Sequence, residues 1–125
     1  MSEPLRGVVV SHGEVAQALV AAVEQISGVR GALVAVSNTG CDRGLIAQRI
    51  GNAVGDRPAV VFVDLPSGSC LIAAMQRARE GQGIPVVTGV NLPMLLDFVF
   101  HRELPAQAAA TRVVKAGADS IRQPA

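Results

Sequence analysis

The chain has 125 residues, of which 50% are hydrophobic, with no Trp or Tyr, three Phe and a formal net charge of +1. That length suits one domain spanning residues 1–125, with a core of Val, Leu, Ile and Ala, the usual filling of a parallel sheet buried between helices. Without a basic stripe or aromatic stacking platforms a nucleic-acid surface is excluded, so the expected partners are proteins or small molecules.

Leu5 to Val10 reads as a first strand. Glu14 to about Ile26 reads as a helix with Val15, Leu19, Val23 and Ile26 on one face, ended by Gly28. Ala32 to Val36 is a second strand, followed by the loop Ser37-Asn38-Thr39-Gly40. Asp42 is placed to cap a helix reaching about Val54, with Leu45, Ile46, Arg49 and Ile50 in register. A turn at Gly55-Asp56-Arg57-Pro58 precedes Ala59 to Asp64, a continuous apolar run ending in a carboxylate and the strongest strand signal in the chain. The loop Leu65-Pro66-Ser67-Gly68-Ser69 then feeds a helix from about Cys70 to Glu80, closed by Gly81-Gln82-Gly83. Ile84 to Gly89 is a fourth strand, and Asn91-Leu92-Pro93 opens a helix reaching about His101. An Ala-rich helix fills Pro105 to Ser120.

Four strands alternating with helices imply an α/β fold with a doubly wound, mainly parallel sheet, because right-handed crossovers cover both faces. In the common order 2-1-3-4, with an extra antiparallel edge strand left open, the first and third strands are neighbours where the strand order reverses and ligands bind. Their tips carry His12 and Asp64. The apolar runs are short and broken by Gly, Pro or charge, so none spans a bilayer. The segment Met1 to Arg6 lacks the basic region and apolar stretch of a signal peptide, which makes the cytoplasm the expected location. Cys41 and Cys70 have no metal-ligand spacing, so no metal site is expected. Both read as reduced packing residues, with Cys70 beside a helix start where a thiol pKa can fall.

The stretch Gly7 to Glu14 places an imidazole between a strand tip and a helix amino end, where unpaired N–H groups and the helix dipole favour an anion. Gly13 leaves room for that anion to approach the backbone. A carboxylate from Asp64 could hold the Nδ1 proton of His12 and leave Nε2 free to attack phosphorus; the plainer role for Asp64 is to cap a turn or the next helix. Ser67, Gly68 and Ser69 lie at a second helix amino end facing the same crevice, where backbone amides and the Ser69 hydroxyl could hold phosphoryl oxygens, or Ser69 could simply be an N-cap. His101 reads as a structural residue at a helix end. The chain has neither a P-loop nor the Gly-x-Gly-x-x-Gly of dinucleotide binding. Ser11-His12 cannot supply the acidic residues of a receiver domain, and Ser11 stands where a phosphohistidine phosphatase presents Arg.

Three segments, Val10-Ser11-His12-Gly13, Val63 to Ser69 and Gly89 to Leu95, resemble the enzyme IIA domain of the mannose family of the bacterial phosphoenolpyruvate-dependent sugar phosphotransferase system. The resemblance covers roughly residues 5 to 115. It implies that His12 takes a phosphoryl group from HPr and passes it to a IIB protein, with Asp64 in support and Ser69 at the phosphate site, without metal, nucleotide or other cofactor. It also implies a homodimer that meets the membrane only through a permease complex. The rim of the crevice, with Leu65, Pro66, Asn91 and Leu92, is the expected docking surface for donor and acceptor. The family often reads Gly-Gly-Ser-Pro-Phe-Asn where this chain has Ser67-Gly68-Ser69-Cys70-Leu71-Ile72, a departure that bears on partner fit and phosphate geometry. Some members exchange a late antiparallel strand, for which little length follows the Ala-rich helix here. A regulatory phosphorelay without sugar transport and a non-catalytic interaction domain of the same fold are the rival readings.

Overall fold

The computed structural model describes residues 3–80 and 83–125. Its elements alternate as β1 (Arg6–Ser11), α1 (Val15–Ser27), β2 (Leu33–Ser37), α2 (Arg43–Val54), β3 (Ala59–Val63), α3 (Ser69–Glu80) and β4 (Val86–Thr88), followed by α4 (Leu92–Val99) and α5 (Ala106–Asp119). The sheet order is β2-β1-β3-β4, every pairing is parallel, and among the described residues no antiparallel edge strand is present. The predicted close of α3 at Gly81-Gln82, like Met1 and Ser2, lies outside the described residues.

Alternation along the strands divides the core into two layers. Leu5, Val9, Val60, Phe62 and Val87 face α1, α4 and α5, while Val8, Val10, Val61 and Val63 face α2 and α3. Gly7 shares the face of Val9, and a Cβ there would stand 2.5 Å from Leu33 Cδ2 and 2.9 Å from Phe98 Cε2. The missing side chain lets Phe98 cross β1 and meet Phe62 edge to face, with ring centroids 5.2 Å apart.

Local chemistry fixes the helix ends. The Asp42 carboxylate accepts from Leu45 N–H at 2.8 Å, and Asn91 Oδ1 accepts from Met94 N–H at 3.1 Å. Gly28, at φ 75°, closes α1 in the left-handed conformation. The face expected for α1 needs correction, since Val15 is 48% and Ile26 62% exposed. Ala16 and Val23 are buried instead, with Leu19 and Val20 packed against them. In α2, likewise, Leu45 and Arg49 turn outward while Ile46, Ala47, Ile50 and Val54 form the buried stripe. A helix lying close on a sheet accepts alanine at the nearest approach, which shifts the stripe off the largest side chains. The fourth strand is shorter than expected, three residues paired only with β3 and ended by the positive φ of Gly89.

Candidate functional site

β1 and β3 run in register with Val10 beside Val63, so the residues that follow them emerge side by side at the carboxyl end of the sheet. His12 and Asp64 meet there. Asp64 Oδ2 accepts from the His12 backbone N–H at 2.9 Å and lies 2.8 Å from His12 Nδ1. Its other oxygen accepts from Leu65 N–H at 3.0 Å, so both expected roles of Asp64, orienting the ring and capping a turn, are met by one side chain. Burial raises the Asp64 carboxyl pKa, but the His12 amide, the His12 ring and the Leu65 amide outweigh it and leave the carboxyl below its ordinary value. An ionised carboxylate only accepts, so in the neutral imidazole the proton sits on Nδ1 and Nε2 keeps its lone pair. The Asp64 side chain is 15% exposed and that of His12 43%, so the carboxylate is sheltered while the ring faces solvent.

The first turn of α1 is held from below. Ser11, fully buried, accepts from Ala16 N–H at 2.6 Å through its hydroxyl and donates to His12 O at 3.2 Å. No pattern in the sequence marks this role of Ser11, because a buried Ser five residues before the amide it caps is not a recognised capping spacing. The space beside Gly13 is open. The residue's φ of 55° favours glycine, yet its N–H donates to Asn38 Oδ1 at 3.1 Å and its carbonyl accepts from Ser37 Oγ at 2.7 Å. The Gly13 backbone is therefore tied to the loop after β2 rather than offered to an anion.

Ser67 and Gly68 are exposed beside the crevice and Ser69 is half-buried. Ser69 is not the N-cap. Gly68, at φ 91°, brings the chain into α3 one residue early and its carbonyl accepts from Ile72 N–H at 3.1 Å. The amides of Ser69, Cys70 and Leu71 then occupy the first turn, where N–H groups have no intrahelical acceptor. Cys70 is fully buried with Sγ 4.0 Å from His12 Nδ1, a proximity across 58 residues that no local spacing announces. Burial and the Asp64 charge push its thiol pKa up, against a lowering contribution from Ser69, which corrects the expectation of an acidic thiol at a helix start.

Of the expected docking rim, Leu65 is 49% exposed and Pro66 is exposed, and Ile72 in the first turn of α3 adds apolar surface. Asn91 and Leu92 are half-buried. The Asn91 amide caps α4 and donates to Gly117 O at 3.2 Å, and Leu92 packs on the core. His101 is structural as expected, its Nδ1 2.7 Å from Asp97 O, while Arg112 Nε donates to the Asp97 carboxylate at 3.0 Å. Clefts of about 320 Å³ along β4 and α5 and about 560 Å³ around Arg57 and Arg77 lie away from His12. Among the described residues no helix is long and apolar enough to cross a membrane.

Residues 7–115 match the family EIIA-man, described as PTS system fructose IIA component. No curated protein sequence matches significantly. In structure, the chain is similar to phosphotransferase system component EIIA from Streptococcus agalactiae, with 21% identity and a TM-score of 0.88 over 95% of this chain and 96% of that one. It is also similar to the mannose/sorbose specific IIA subunit from Enterococcus faecalis, at 20% identity and a TM-score of 0.83 over 98% and 96%. A sigma-54 interaction domain protein from Enterococcus faecalis shares the fold at 12% identity, with a TM-score of 0.77 over 95% and 94%.

Proposed function

The chain belongs to the EIIA-man family of phosphotransferase-system IIA components, and we propose that within it the protein is a phosphohistidine carrier with His12 as acceptor. The observation that carries this reading is the 2.8 Å contact between His12 Nδ1 and Asp64 Oδ2. With the Nδ1 proton held there, Nε2 attacks the phosphorus of phosphorylated HPr; the donor's N–P bond breaks, a new one forms, and Asp64 stabilises the charge on the ring. The first-turn amides of α3 and the Ser69 hydroxyl face the transferred oxygens. A IIB protein then takes the group by the reverse of that attack, docking on the apolar surface of Leu65, Pro66 and Ile72. The protein works in the cytoplasm as a homodimer and approaches the membrane only through a permease complex. Positioning and charge stabilisation suffice for phosphoryl transfer between histidines, which suits a small rigid carrier.

The test is incubation with phosphoenolpyruvate, enzyme I and HPr, followed by intact mass. The expected result is one acid-labile, base-stable phosphate on the wild type and none on His12→Gln. No phosphate on the wild type, with the same HPr active on another IIA protein, would sink the reading. The shared fold of the sigma-54 interaction domain protein favours one second reading, a regulatory relay using the same histidine without sugar. Transfer from the phosphorylated protein to a IIB protein separates the two, because the relay to sugar requires it.

A further inference from the structure

We propose that His12, Asp64 and Cys70 form a site for one divalent transition-metal ion, zinc above all, and that occupancy of this site blocks His12 as a phosphoryl acceptor. The second half rests on the carrier reading above; the first half does not. Among the described residues these three side chains bring one nitrogen, one carboxylate oxygen and one sulfur within 4.8 Å of one another. His12 Nδ1 is 2.8 Å from Asp64 Oδ2 and 4.0 Å from Cys70 Sγ. Ligand atoms of a tetrahedral zinc ion, bonded at about 2.0–2.3 Å, stand about 3.2–3.7 Å apart. Zinc therefore needs the nitrogen and oxygen to part slightly and the sulfur to close on the carboxylate oxygen by up to about 1.5 Å, shifts that χ rotations of the three side chains supply between them.

The donor set selects the metal. One thiolate, one imidazole and one carboxylate, with water in the fourth position, suit zinc and its analogue cobalt(II), whereas magnesium and calcium require oxygen ligands. The charges close too, since the dication meets one carboxylate and one thiolate. Cys70 has no part in phosphoryl transfer as described, for its sulfur lies on the Nδ1 side of the ring and the phosphoryl group arrives at Nε2. That position makes it a metal ligand that leaves the face of attack clear.

Blocking follows from proton bookkeeping. The metal replaces the proton between Nδ1 and Oδ2, that proton moves to Nε2 of the neutral ring, and the Cys70 thiol releases its own to solvent. One proton leaves per ion bound. With Nε2 protonated and Nδ1 ligated, the ring has no lone pair for phosphorus.

Cobalt(II) titration of the full chain reads the site directly, with Cys41→Ser to remove the other thiol and Cys70→Ala to remove the ligand. The expected result is a thiolate-to-cobalt absorption band, displaced by zinc, that survives Cys41→Ser and disappears in Cys70→Ala and in Asp64→Asn. Phosphorylation from HPr is then timed with and without zinc, each protein against its own zinc-free rate, with zinc added after enzyme I has charged HPr and been removed. At free zinc about ten times the dissociation constant, wild type slows about tenfold, since only the unliganded fraction reacts, and Cys70→Ala does not slow. Absence of the band in a wild type that accepts phosphate would overturn the metal site, as would a band that follows Cys41. A wild type that shows the Cys70-dependent band but takes no phosphate without zinc would overturn the carrier reading and support the site.

Discussion

At the amino-terminal edge of the sheet, three guanidinium groups serve the main chain. Arg6 Nη1 donates to Ala53 O at 2.9 Å, Arg57 Nη2 to Pro4 O at 3.1 Å and Arg102 Nε to Leu5 O at 2.7 Å. Burial and the charges of Arg57 and Arg6 lower the Arg102 pKa, so this crowding costs something while it ties the segment before β1 and the end of α2 to the sheet. At the carboxyl edge the pattern reverses. Asp64 is consumed by hydrogen bonds, but it consumes only one nitrogen of His12, leaving Nε2 and the first turn of α3 unspent. Nε of Arg6 and Nε of Arg57 are buried without a hydrogen-bond partner, so the main-chain bonds of these groups offset a local cost; at the carboxyl edge the groups left over beside a satisfied partner are the ones available for chemistry.

Substitutions at the two edges should therefore separate stability from phosphoryl transfer. The largest expected effect is Asp64→Asn, which keeps an acceptor near Nδ1 but removes the charge that stabilises the ring. Phosphorylation should slow by on the order of 10²–10⁴ with the fold retained, as intact-mass time courses and circular dichroism would register. Arg102→Ala should do the opposite, costing about 1–3 kcal/mol in urea unfolding by orphaning Leu5 O, while the phosphorylation rate per folded molecule is unchanged. Asn91→Ala should cost about 1 kcal/mol through the lost cap of α4 and the lost bond to Gly117, again without slowing transfer. Ser69→Ala should leave the melting temperature in place and slow phosphorylation roughly two- to tenfold, one hydrogen bond to a phosphoryl oxygen.

The smallest effect is on acid stability. Because the folded chain holds the Asp64 carboxyl below its ordinary value, the unfolded chain binds more protons near pH 4. Its contribution is present above about pH 4 and lost as the pH falls through the lower folded value, so Asp64→Asn should flatten that part of the acid unfolding curve.

Much of this arrangement was legible in the residues. The β-branched runs at Val8 to Val10 and Val60 to Val63 announce buried strands, Asp42 and Asn91 announce helix starts, and right-handed crossovers then bring the tips carrying His12 and Asp64 together. What stayed hidden depends on close packing rather than pattern. Helical spacing cannot tell that Ala16 lies inward while Val15 and Ile26 face solvent. Nor could it show that Gly68 starts α3 early, which turns Cys70 toward His12, or that Asn38 holds the Gly13 amide. Each of these turns on side chains far apart in the chain.

The measurement that bears most directly on His12 as carrier is the ring position of the phosphate, read by nitrogen NMR on histidine-labelled protein charged from HPr. Phosphate is expected on Nε2 of His12, with the Nδ1 proton still held by Asp64. Phosphate on Nδ1, or on any residue other than His12, would contradict it.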